Sequence, residues 1–211
     1  FVRNNIVKPH QAKLVNGSGV NLEKFLFSPL PSEPIFLCMA RLIKSKGLME
    51  YAKAAKEIKK FNPNARFLLY GYPDDHPDSI NERDIADNWL DKYGIEYYGY
   101  ASNPIEVINK CSIFVLLSYK EGTPRVVLEA MAMGRPIITT DTPGCRETVQ
   151  NEVNGFLVPP YTHLEAAEAM KKLLCEDMRS KMGVKSREYC AKKFNVVDVN
   201  RILLSEMGVV K

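Results

Sequence analysis

Short apolar runs alternate along the chain with longer stretches whose apolar positions fall at helical spacing. The runs at 35–40, 65–70, 95–98, 113–117, 137–140 and 155–158 predict strands. Those at 35–40 and 113–117 are apolar throughout, which suits strands covered on both faces. The stretches between them predict helices over 48–60, 79–93, 104–110, 123–134 and, briefly, 144–149. Beyond the last strand the chain is helical over 164–175, 179–193 and 197–207. Ahead of the first strand, residues 1–12 are polar and irregular, and 13–16 could enter the turn Gly17-Ser18-Gly19 as a short strand. Asn21 is placed to cap a turn through Phe25, and the proline-rich stretch 28–34 is a connector. Alternation of strand and helix predicts an α/β fold, a doubly wound, Rossmann-like parallel sheet. Such sheets bind ligands at the carboxyl ends of their strands. Arg41, Gly71, Tyr100 and Glu121 each follow a predicted strand, so their loops converge on one edge.

The stretch 121–136 departs from simple patterning. Thr123 is a candidate N-cap and Pro124 a candidate first helical residue, and Gly134 and Pro136 end the helix. Val126, Val127, Leu128, Ala130, Met131, Ala132 and Met133 leave no polar side, so the helix should be buried all round. Glu129 stands among them. A buried carboxylate is costly unless something pairs with it: either a nearby cation or backbone group, or the hydroxyl of a ligand in a cleft. Glu121, in the loop at the helix's amino end, favours the ligand. That end suits a phosphate, and a carboxylate beside an anion site suits hydroxyls attached to the phosphate. Phosphates with hydroxyls describe a nucleotide sugar. Arg41 directly ends a buried strand, and Lys44 and Lys46 follow in a basic turn before a helix.

Composition narrows the classes. The 211 residues suffice for one large domain, with an ordinary 45% hydrophobic and 26% charged content. No apolar run is long enough to span a bilayer. The net charge of +4 is spread without basic runs or aromatic interleaving, which argues against nucleic acid as partner. Five cysteines without a Cys-x-x-Cys pair read as reduced thiols, and His10, His76 and His163 are isolated, leaving no visible metal site or histidine-based nucleophile. Asp74, Asp75, His76 and Asp78 read as a solvated loop. Tyr97, Tyr98 and Tyr100 could stack on a base or simply pack a strand. The chain opens at Phe1 with neither initiator Met nor signal peptide, so it reads as part of something longer.

The Glu121-to-Glu129 spacing, with Gly122 and Pro124 inside it and Ala130-Met131-Ala132-Met133-Gly134-Arg135-Pro136-Ile137 after it, resembles the retaining glycosyltransferases of family four, which have the GT-B fold. Three further segments agree in order: Asn16 to Phe25, Ala40-Arg41-Leu42 through Lys46-Gly47, and Asn154-Gly155-Phe156-Leu157-Val158. The resemblance is to the second, donor-binding half of that fold. It implies a linker at 1–16, a donor-binding domain at 17–195, and a helix at 196–211 crossing to an absent amino-terminal domain that supplies the acceptor site. Carried over, Arg41 and Lys46 would neutralise the leaving diphosphate, and Glu121 would bond the sugar hydroxyls. The backbone from Gly122 through Thr123 and Pro124 to Arg125 would hold sugar and phosphate, Glu129 the ribose, and the region of Gly71 and Tyr100 the base. Arg41, Lys46 and Glu121 are thus the implied catalytic set, with a nucleoside-diphosphate sugar as substrate, a UDP-sugar ahead of a GDP-sugar, and no metal or cofactor. Thr123 stands where many relatives carry an aromatic residue. The Gly17-to-Asn21 turn is similar to bacterial members that build surface polysaccharide on glycan or lipid-linked acceptors, which implies a cytoplasmic protein, peripheral at the inner membrane face. A nucleotide-sugar-binding module inactive by itself, and a related GT-B sugar epimerase, are the alternatives.

Overall fold

The structure, a computed structural model, describes residues 6–8, 12–13 and 15–209. The expected features at 1–16 fall partly outside these residues, and the described part of 13–16 forms no strand. Six parallel strands make one sheet: β1 (Ile35–Met39), β2 (Arg66–Tyr70), β3 (Ile95–Tyr97), β4 (Ile113–Leu116), β5 (Ile137–Thr140) and β6 (Gly155–Val158). Their spatial order is β3-β2-β1-β4-β5-β6. Register runs from Phe36 opposite both Phe67 and Ile113, through Phe114 opposite Ile137, to Ile137 opposite Gly155. The chain order reverses between β1 and β4, so the loops after these strands diverge and leave a crevice, the usual ligand position in open α/β sheets.

Alternate side chains of each strand enter two cores. Phe36, Cys38, Phe67, Leu69, Ile113 and Val115 meet α1 (Leu48–Phe61), α2 (Glu82–Tyr93) and α5 (His163–Lys172). Leu37, Met39, Leu68, Phe114 and Leu116 meet α3 (Pro104–Asn109), α4 (Arg125–Ala132) and α6 (Glu176–Phe194). Both faces are covered, which is why the central strands carry no polar alternation. Burial pushes the thiols of Cys38, Cys111 and Cys190 up to about 12, leaving them as inert packing groups.

The elements match the expected alternation with shifted ends. The helix expected from 79 starts at Glu82, because Ser79 and Ile80 bond back to the loop after β1 and Asn81 takes the cap, accepting from the Arg83 N–H. The brief helix at 144–149 is a 3-10 turn, Arg146–Thr148. Asn21 caps as expected, its Oδ1 accepting from the N–H groups of Glu23 and Lys24. The segment after Gly19 is pinned to the end of α6: Val20 donates to the Phe194 carbonyl and accepts from the Val196 N–H. The last helix, α7 (Val196–Glu206), buries Val199 and exposes Val197, Ile202, Leu203 and Leu204.

The carboxyl end of α4 is closed by backbone and side chain together. Gly134 donates to Met131 and Arg135 to Ala130, forming a Schellman motif. The wholly buried Arg135 guanidinium donates to the carbonyls of Met133, Ser28 and Ile108 at 2.6, 2.7 and 3.2 Å. Among the described residues no helix is long and apolar enough to cross a membrane.

Candidate functional site

The loops after β1 and β4 cross at the crevice. Gly47, at φ +67°, ends the 3-10 turn Lys44–Lys46, and a Cβ there would lie 2.1 Å from the Leu117 carbonyl oxygen. Only glycine permits this approach. Tyr119 N–H donates to the Ser45 carbonyl, locking the two loops together. One consequence is a close ion pair: Lys46 Nζ lies 2.5 Å from Glu121 Oε1, with both side chains largely buried. A third loop supports them, since a Cβ on Gly144 after β5 would lie 1.9 Å from the Gly122 carbonyl oxygen.

Beside this pair, Arg41, Gly71, Tyr72, Tyr100 and Val126 line a cleft of about 230 Å³ floored by Met39 and Tyr70. Arg41 and Gly71 therefore stand with Tyr100, as the strand-end reasoning expects. Arg41 is half-exposed, and its Nη1 lies 2.7 Å from Asp74 Oδ2. The loop is solvated at Asp75, His76 and Asp78, as expected, and Asp74 is the member that pairs with Arg41. Of the three tyrosines, Tyr97 donates to Glu82 and Tyr98 stacks on Tyr70. Tyr100 alone lines the cleft, edge-on to Tyr72. Larger cavities of about 700 and 530 Å³ lie along α6 and beside α5, and none of Arg41, Lys46, Glu121 and Glu129 lines them.

The amino end of α4 differs from expectation in detail. The helix starts at Arg125, and Pro124, with ψ 111°, occupies the N-cap position. Its carbonyl accepts from the N–H groups of Val127 and Leu128, so the extended ψ puts Thr123 one residue outside the cap. The Thr123 side chain packs on Gly17 instead, its hydroxyl oxygen 2.8 Å from where a Cβ on Gly17 would lie. No side chain caps this end, and Gly122 faces open space. That leaves the N–H groups of Arg125 and Val126 without an acceptor in the helix, which makes this end an anion-seeking one.

Glu129 sits one turn in, 8% exposed, on a helix otherwise buried from Val127 to Met133. Arg125 Nε lies 3.2 Å from Glu129 Oε1, while the rest of the Arg125 side chain is exposed. Burial holds the Glu129 carboxyl above the ordinary carboxylate range, against the opposing pull of Arg125 and then Lys24. An exposed cation on one oxygen satisfies a buried carboxylate only in part, which leaves it able to accept from a ligand. The spacing of four between Arg125 and Glu129 could have disclosed this pair from sequence. Asp74, Gly144 and the packing of Thr123 on Gly17 carry no local signal.

Comparison with known proteins bears on the family and the fold. The chain is 31% identical over 198 residues to the N,N'-diacetylbacillosaminyl-diphospho-undecaprenol alpha-1,3-N-acetylgalactosaminyltransferase of Campylobacter jejuni, covering 87% of this chain and 50% of that protein. Among solved structures, sucrose-phosphate synthase from Thermosynechococcus elongatus superposes with a TM-score of 0.80 at 26% identity, over 99% of this chain and 56% of that one. HepE from Anabaena in complex with UDP-glucose superposes with a TM-score of 0.80 at 17% identity, over 99% of this chain and 60% of that one. The fold is thus that of one half of a GT-B glycosyltransferase. The chain spans about half the length of the curated relatives it matches. Residues 23–192 match the family described as Glycosyl transferases group 1, and the chain belongs to that family.

Proposed function

We propose that this chain is the donor-binding half of a retaining glycosyltransferase that takes a UDP-sugar and passes the sugar to a glycan or lipid-linked acceptor. The observation that carries it is the meeting, at the β1/β4 crevice, of the Lys46–Glu121 pair, the Arg41 cleft and the uncapped end of α4 one turn from Glu129. The base would lie in the cleft by Gly71 and Tyr100. Glu129 would accept from the ribose hydroxyls. Arg41, Lys46 and the N–H groups opening α4 would hold the diphosphate, with the backbone of Gly122, Thr123, Pro124 and Arg125 along sugar and phosphate. Glu121 would accept from sugar hydroxyls once Lys46 turns to the phosphate. In the transfer, the bond from the anomeric carbon to the diphosphate oxygen breaks as an acceptor hydroxyl oxygen bonds to that carbon on the same face. The hydroxyl proton leaves with the diphosphate. Charge growing on the leaving group is met by fixed cations and a helix end, and this assignment calls on no metal or cofactor.

The half-length match supports a second, amino-terminal domain that carries the acceptor site, with α7 crossing to it and the present chain inactive by itself. The name of the Campylobacter relative, with its diphospho-undecaprenol, supports a lipid-linked acceptor and hence a peripheral position at the cytoplasmic membrane face. Calorimetric titration of this chain with UDP- and GDP-sugars tests the assignment. Saturable binding of a UDP-sugar, lost in Glu129→Ala while the fold persists, is the expected result. A chain that binds no nucleotide, or a mutant that binds as well as wild type, would refute it.

A further inference from the structure

Tyr161 lies in the turn between β6 and α5, outside every role assigned above. It is a non-glycine residue at φ +65°, a backbone conformation that L residues rarely adopt. Burial does not account for it, because the residue is 66% exposed. Its ring instead lies over that of Tyr119, with centroids 3.9 Å apart and planes inclined by 36°. The turn is closed beneath it by the Thr162 hydroxyl, which donates to the Pro159 carbonyl at 2.6 Å. Strained residues held this way cluster where structure serves a site.

Tyr119 is held from three directions. Its hydroxyl donates to Glu50 Oε2 at 2.5 Å, its N–H donates to the Ser45 carbonyl at 2.9 Å, and Tyr161 covers its face. Ser45 is next to Lys46, and Tyr119 is two residues before Glu121, the partner of Lys46. One aromatic stack therefore ties the loop after β6 to the two loops that form the ion pair. We propose that Tyr161, acting through Tyr119, is a positioning residue for the sugar half of the donor: the stack fixes the segment that delivers Glu121. This rests on the donor site proposed above. It deepens that site by separating what holds the nucleotide, in the cleft and on α4, from what holds the sugar.

Tyr161→Gly tests it cleanly, because glycine suits the observed φ and removes the ring without adding strain. The variant, Tyr161→Phe and wild type are titrated with UDP and with a panel of UDP-hexoses and UDP-N-acetylhexosamines, with thermal unfolding alongside. In Tyr161→Gly the unfolding midpoint should hold or rise. The best-bound sugar nucleotide should weaken about fivefold and UDP less than about twofold, with Tyr161→Phe behaving as wild type. Equal weakening of UDP and sugar nucleotide, or no change in either, overturns the proposal. If wild type binds no nucleotide, the donor-site assignment has failed on its own. Amide hydrogen exchange over 118–123 then decides whether the stack fixes the segment that carries Glu121: exchange about tenfold faster in Tyr161→Gly and restored in Tyr161→Phe sustains that positioning, and unchanged exchange overturns it.

Discussion

The two ends of α4 are built in opposite ways. At the carboxyl end a Schellman motif and the buried Arg135 occupy the outgoing carbonyls, and Phe27 packs against Gly134. At the amino end Pro124 brings no side-chain cap, Gly122 faces open space, and Arg125 reaches back from solvent to a buried Glu129. One helix thus spends its sequence on closure at one end and leaves the other unfinished. Asn81 caps α2 through its side chain, whereas α1, α5 and α6 share with α4 an amino end that no side chain caps. What sets the amino end of α4 apart is the buried Glu129 one turn in, and in the proposed donor site this is the end that meets the ligand.

The comparison breaks most visibly at Arg135. Arg135→Met should cost about 3 kcal/mol, because carbonyls in the core lose their donor. Urea unfolding measures this, and nucleotide affinity of the folded fraction should stay within about twofold of wild type. Glu129→Ala should do the reverse. Losing charge-assisted hydrogen bonds to a ribose weakens nucleotide binding by roughly 30-fold, while removal of a partly satisfied buried carboxylate leaves the unfolding midpoint unchanged or higher. A Glu129→Ala protein that unfolds without losing affinity would make both ends structural.

Smaller effects sharpen the contrast. Asn81→Ala should cost about 1 kcal/mol as a lost cap, and Thr123→Ala only a few tenths. Equal costs would restore Thr123 as the cap of α4. Asp74→Asn frees Arg41, so affinity for UDP should rise up to about fivefold, as expected from releasing a half-exposed pair, and more so at low salt. The least of these is a pH effect. The Glu129 value is raised above 4.5 by burial, so its contribution to stability is present below 4.5 and is lost as pH rises through the folded value. A ribose hydroxyl bonded to the carboxylate would lower that value, so nucleotide binding should release protons at pH values between the bound and the free value. Calorimetry in buffers of different ionisation enthalpy reads this directly, and Glu129→Gln should abolish it.

The sheet was readable because both its faces are covered, so β1 and β4 stand out as apolar blocks and their ends locate the ligand edge. Arg41, Gly71, Tyr100 and Glu121 follow from that alone. Glu129 followed from being the wrong residue on an apolar helix. The side-chain partners distant in sequence were not readable. Lys46 meets Glu121 across 75 positions and Arg41 meets Asp74 across 33, and no periodicity links residues so far apart. Thr123 misled because local preference for a cap was overridden by the extended ψ of Pro124 and by packing on Gly17. Tyr161 gave no sign, since a left-handed backbone at an aromatic residue has no compositional signature.

The site's three cations, Arg41, Lys46 and Arg125, are each matched by a carboxylate, Asp74, Glu121 and Glu129. These three pairs therefore cancel one another's charge at the crevice. A bare cationic patch would gather sulfate, free phosphate and stretches of RNA, all far commoner in a cell than any one nucleotide sugar. Here an incoming anion must displace carboxylates, and those carboxylates are recovered as hydroxyl acceptors only if the anion carries sugars in the right places. On the proposed function, discrimination against other polyanions would follow from this charge balance, at the expense of rapid electrostatic capture.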